Sequence, residues 1–81
     1  MMLPQPAELI VVRTERSIRV CLAYTEDSAA KYEDNTLIKL GIEQSLPVLR
    51  EYYGRRYYIV RQQSVEHTPN LVKVVLDLSL P

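Results

Sequence analysis

Residues 52–63 read YYGRRYYIVRQQ, two Tyr pairs around a double Arg, and the passage is either the seam between a helix and a strand or a surface for gripping a partner. Its two flanks settle the fold. Upstream, residues 37–53 read LIKLGIEQSLPVLREYY, in which Ile38, Ile42, Leu46, Leu49 and Tyr53 recur at helical spacing, with Leu37, Gly41, Ser45, Val48 and Tyr52 beside them. Lys39, Glu43, Gln44, Arg50 and Glu51 fill the wetter arc. The spacing predicts one main helix, capped by Asn35 or Thr36 and ended by Gly54, which supplies the left-handed residue a helix needs to stop.

Two residues disturb that helix. Gly41 costs about 1 kcal/mol relative to Ala in a helix interior, so its place on the buried side predicts a backbone passing close beneath it. Pro47 donates no hydrogen bond, and its ring meets the carbonyl four residues back, so the helix either kinks there or divides in two.

Downstream of Gly54 the pattern changes period. YYIV, residues 57–60, is apolar in both strand registers, the mark of a strand covered on two sides. RRYYIVRQQSV and NLVKVVLDLSL read as two strands joined through EHTPN, where Pro69 and Asn70 are turn residues. In the last strand Val72, Val74, Leu76, Leu78 and Leu80 share one face; Lys73, Asp77 and Ser79 share the other with Leu71 and Val75. Being long and regular, that strand is also expected to be able to pair edge to edge with a copy.

Before the helix, LIVV (residues 9–12) and SIRVCLAY (residues 17–24) predict a hairpin turning near Thr14 and Glu15. Ile18, Val20, Leu22 and Tyr24 alternate with Ser17, Arg19, Cys21 and Ala23. The acidic TEDSAAKYEDNT that follows admits a short helical turn capped by Thr25 or Ser28. The order is therefore β-β-α-β-β. The expected fold is α+β: an antiparallel four-stranded sheet with one helix, Pro-kinked or split, on one face, forming a single domain over residues 8–81 behind a loose lead-in of residues 1–7.

Folding so short a chain, 81 residues, removes only about 60% of its surface from water. Cys21 is the lone cysteine, so no disulfide reinforces the fold, and a reducing, cytoplasmic setting is expected. Association with a copy or another protein is then the expected route to further burial. Ten basic and ten acidic residues give no net charge, so a nucleic-acid reading has to rest on a local patch. The opening MMLPQPAELIVV has neither the basic start of a signal peptide nor the length of a membrane span.

That local patch is the opening stretch itself. Four of the seven arginines and four of the six tyrosines fall between Arg50 and Arg61. Guanidinium groups pair with phosphate and Tyr rings stack on bases, but Arg and Tyr are equally the anchors of protein interfaces. A third use is core packing at the helix-to-strand corner. No catalytic reading competes: His67 has only Glu66 beside it and no nucleophile partner, Cys21 has no group placed to activate it, and two glycines build no phosphate loop. Glu26, Asp27, Glu33 and Asp34 lack the spacing of a calcium loop, so neither cofactor nor metal is expected.

The sequence thus predicts a non-enzymatic protein-interaction module, an adaptor, inhibitor or assembly subunit, that self-associates as a dimer through its sheet. Its contact residues are expected to be Arg19, Arg55, Arg56, Tyr57, Tyr58, Ile59 and Arg61. The alternative is a nucleic-acid-binding module using residues 50–61.

Overall fold

The computed structural model describes residues 3–54 and 58–79. Strands β1 (Glu8–Arg13) and β2 (Ser17–Thr25) lead into a single helical turn α1 (Glu26–Ala29) and the main helix α2 (Asp34–Tyr53). Strands β3 (Ile59–His67) and β4 (Leu71–Ser79) follow. All pairings are antiparallel, in the order β1-β2-β4-β3, so the α+β architecture read from the sequence is the observed one. No helix among the described residues is long and apolar enough to cross a membrane.

Each hairpin is closed by a threonine in front of a two-residue loop. Thr14 N–H donates to the Ser17 carbonyl at 2.9 Å around Glu15 and Arg16, and Thr68 N–H donates to the Leu71 carbonyl at 2.9 Å around Pro69 and Asn70. Thr68 Oγ1 reinforces the second turn by donating to the same carbonyl at 2.7 Å. Such side-chain bonds stand in for the missing Asn-Gly or Gly-X signal at the first loop.

The two most regular strands lie in the middle. Ile18, Val20, Leu22 and Tyr24 of β2 face the same way as Val72, Val74, Leu76 and Leu78 of β4, and all eight are buried. Fully burying each such side chain contributes about 1.5–3 kcal/mol before entropy is subtracted. β4 is therefore interior, bonded to β2 on one side and β3 on the other. The expectation that it pairs edge to edge with a copy is overturned, because its backbone groups on both sides are already used. The edges are β1 and β3.

α2 lies over this apolar face as one unbroken helix that includes Pro47, which sits exposed, so the helix is not divided in two there. Pro47 deprives only the carbonyl of Glu43, an exposed residue that water can serve. The helix starts at Asp34, with Glu33 at the cap position and no side-chain cap bond, so the cap expected at Asn35 or Thr36 is not used. The short turn expected before it does form: Thr25 Oγ1 accepts from Ser28 N–H at 3.3 Å.

The buried stripe of α2 is Leu37, Leu40, Gly41, Ser45 and Leu49, with Ile38, Ile42, Leu46 and Val48 half-buried at its margins. It is rotated from the stripe read in the sequence. Tyr52, expected inside, is 73% exposed, and Gln44, expected in water, is half-buried. Gly41 accounts for the shift toward Leu40 and Gln44, while Tyr52, on the arc of Gly41 and Ser45, is exposed in the last turn of the helix. A Cβ at Gly41 would come within 3.0 Å of Val74 Cγ1 and 3.5 Å of Leu22 Cδ1, so the glycine is where the helix comes down onto β2 and β4. What passes beneath it is side chains, not the backbone expected from the sequence. Ser45, one turn on, turns its hydroxyl back to the Gly41 carbonyl at 2.6 Å and needs no other partner.

Gly54 ends α2 with φ 67°, its N–H donating to the Arg50 carbonyl at 2.8 Å. Among the described residues nothing comes within 4 Å of a Cβ placed there, so Gly54→Ala reads the backbone penalty. The variant is expected to unfold about 1 kcal/mol more easily in urea, with an unchanged slope. An unchanged midpoint would mean the left-handed turn does not hold the helix end.

The lead-in meets the core through a relay. Tyr24, fully buried, donates its hydroxyl to Gln44 Oε1 at 2.6 Å, and Gln44 Nε2 donates to the Pro4 carbonyl at 2.7 Å. Ala7 N–H donates to the Ala23 carbonyl at 2.7 Å.

Candidate functional site

Among the described residues no helix covers the second face of the sheet, and the strand register lays its side chains out in cross-strand rows. Glu8, Ala23, Lys73 and Glu66 form one row; Ile10, Cys21, Val75 and Ser64 the next; Val12, Arg19, Asp77 and Gln62 the third. Ser17, Ser79 and Ile59 close the face. Charges and apolar groups alternate across it, with Ile10 47%, Val12 52% and Ile59 40% exposed.

A bonded pair sits near the middle. Arg19 Nε donates to Asp77 Oδ1 at 2.8 Å and Nη2 to Oδ2 at 3.2 Å, a two-pronged geometry that fixes the guanidinium plane. The bond from Arg19 holds the Asp77 carboxyl below its ordinary range and raises the Arg19 guanidinium in turn. Both groups stay charged at any physiological pH.

Beside this pair the β3–β4 ladder shifts register between Val60 and Gln62. The extra residue is Arg61, whose Nε donates to Ser79 Oγ at 2.9 Å, which brings it onto the open face with Gln62 rather than to the helix side. β-Bulges re-aim side chains in this way. Two shallow hollows result, sharing Arg19, Arg61, Gln62 and Asp77. Both are too open to enclose a small molecule but fit a protruding side chain.

Of the contact residues expected from the sequence, Arg19, Ile59 and Arg61 share this face. Tyr58 does not: it packs against the core on the helix side, its hydroxyl 3.4 Å from the Leu49 carbonyl. That is the corner-packing use of the Tyr-rich stretch, and it follows from Ile59 pairing with Ser79, which sends its neighbours Tyr58 and Val60 inward. Arg55, Arg56 and Tyr57 lie outside the described residues. Strand β3 begins at Ile59, later than the Arg55 read from the sequence.

Ile10, Val12 and Asp77 join the face without having been singled out. A signal for the first two was present, since LIVV is apolar in both registers just as YYIV is. Asp77 had none, because its partnership with Arg19 spans 58 positions and depends on β2 lying beside β4.

Cys21 lies half-buried on the same face, and burial raises its thiol above the ordinary value, so it stays protonated at neutral pH. His67 Nε2 lies 3.0 Å from Asp34 Oδ1 at the start of α2, on the far side of the sheet. Among the described residues no three His, Cys, Asp or Glu side chains gather as metal ligands would. No family model, curated protein or solved structure matches this chain.

Proposed function

We propose that this chain is a protein-interaction module that self-associates through its sheet and presents the open sheet face to a protein partner. The observation that carries this reading is the open face itself. Exposed aliphatic groups at Ile10, Val12 and Ile59 surround a rigid Arg19–Asp77 pair and the bulged Arg61. Aliphatic contact supplies desolvation there, and Arg61 and Gln62 supply directional bonds to acidic or carbonyl groups of the partner.

The charge balance of the face favours protein over nucleic acid. Its described cations, Arg19, Arg61 and Lys73, are matched by Glu8, Glu66 and Asp77. A surface that tracks phosphates needs unpaired cations, and the most central one here is already bonded to Asp77.

Two solution measurements test the reading together. Light scattering at high micromolar concentration is expected to give a mass above 9.4 kDa that persists from about 50 to 200 mM salt. Fluorescence anisotropy with a labelled single-stranded oligonucleotide is expected to stay flat across the same range. A monomer that binds the oligonucleotide, with affinity falling steeply as salt rises, would replace this reading with the nucleic-acid one.

A further inference from the structure

Resting on the self-association half of that reading, we infer that two copies join through the free edge of β1, antiparallel about a two-fold axis at Val11, extending the sheet to eight strands.

The hydrogen-bond phase of the first hairpin identifies the free groups. Thr14 and Ser17 form the bonded pair that closes the turn, so bonded pairs recur at every second residue: Val12 with Arg19, Ile10 with Cys21. Leu9, Val11 and Arg13 therefore aim both N–H and C=O away from β2. Nothing among the described residues lies beyond β1 in the sheet order, so these groups await a strand.

The backbone pattern of β1 matches itself when the strand is reversed. A two-fold axis at Val11 sets Val11 against the partner's Val11 and Leu9 against the partner's Arg13, each pair exchanging both backbone bonds. Between them Ile10 meets the partner's Val12 on the open face, a β-branched pair at the closer, non-bonded spacing. β1 starts with Glu8 and ends with Arg13. Glu8 stands on the open face and Arg13 on the helix-covered face, stacked on Tyr53, so antiparallel pairing keeps like charges apart, whereas parallel in-register pairing would set Glu beside Glu and Arg beside Arg. A two-fold contact also closes on itself and stops at a dimer.

The two edges differ in the way that matters. β3 is almost wholly exposed, polar along most of its length, and interrupted by the bulge at Arg61, all devices that discourage strand addition. Within β1 there is no bulge, proline or lysine, and Leu9 to Val12 are uniformly aliphatic. The groove between β1 and the end of α2, lined by Leu9, Val11, Val48, Glu51, Tyr52 and Tyr53, opens beside this edge. Pairing would bring the two grooves together over the axis and cover Tyr52.

The test uses the full chain. Light scattering is expected to give a dimer. Val11→Pro deletes an N–H that bonds nothing among the described residues, and Ile10→Lys sets charges beside the axis. Each is expected to weaken the dimer at least about tenfold with an unchanged circular dichroism spectrum. Gln63→Pro, the same operation on an outward-facing residue of β3, is expected to leave the dimer intact. Should Val11→Pro fail to fold, Ile10→Lys decides. A dimer indifferent to Ile10→Lys and Val11→Pro, or one lost with Gln63→Pro, overturns the β1 assignment while self-association stands. A wild-type monomer at every concentration overturns both.

Discussion

Gly41→Val should lower the stability of the fold by about 3 kcal/mol, read as an earlier urea midpoint with a nearly unchanged slope. The Cβ alone would stand 3.0 Å from Val74 Cγ1 and 3.5 Å from Leu22 Cδ1, two side chains that are themselves fully buried. Valine adds two further methyl groups at a point that is already tight at the Cβ, and its χ1 is stiff in a helix, so the neighbours have to move. Helix and sheet must then separate, weakening contacts along the whole stripe from Leu37 to Leu49. Gly41→Ala is the informative companion. Its helix gain of about 1 kcal/mol offsets a contact that one methyl of Val74 can relieve, so its midpoint should lie within about 1 kcal/mol of wild type. Equal tolerance of Val and Ala would show that α2 does not approach β4 at this point. For a domain of this length, with total stability on the order of 4–12 kcal/mol, the valine variant approaches the folding threshold.

The second large effect is at alkaline pH. Burial pushes the Tyr24 hydroxyl up to about 12, while in the unfolded chain it titrates near 10. The folded state therefore keeps a proton that the unfolded state has lost between these values. Stability from this group is complete below pH 10 and falls as pH rises to 12, by about 2–3 kcal/mol at roughly 1.4 kcal/mol per unit. Urea midpoints measured from pH 8 to 12 should fall steeply for wild type. Tyr24→Phe should start about 1 kcal/mol lower at pH 8, because the bond to Gln44 Oε1 is lost, and then decline less. Every other group is common to both proteins, so the difference between the two curves is the contribution of Tyr24. Parallel curves would mean that the hydroxyl is open to water.

The relay from Tyr24 through Gln44 to Pro4 also shows how a pattern is misread. Gln44 counts as a wet residue in any helical projection, yet it is half-buried because the lead-in crosses over it. Tyr52 errs in the opposite direction. It lies on the same arc as Gly41 and Ser45, but it stands in the last turn of α2, and there it is 73% exposed. A helical wheel assigns residues to an arc, whereas the point of closest approach decides which part of the arc is buried. Tyr58 belongs to the same class of error, since a single register choice at Ile59 sends it inward, away from the partner surface expected of it.

The local periods of the chain determined most of its architecture. Two-residue alternation in β2 and β4, helical spacing from Leu37 to Tyr53, Gly54 as a stop and Pro69–Asn70 as a turn are properties of neighbouring residues, and they dictate β-β-α-β-β without reference to anything distant. Only the tertiary structure decided that β4 lies inside the sheet, that β1 and β3 are its edges, and that Arg19 meets Asp77. Strand order is a competition among pairings far apart in sequence. It is settled by which strands can share one helix-covered face, and that depends on the joint burial of Ile18 to Tyr24 with Val72 to Leu78 beneath Gly41, a quantity that no single segment contains.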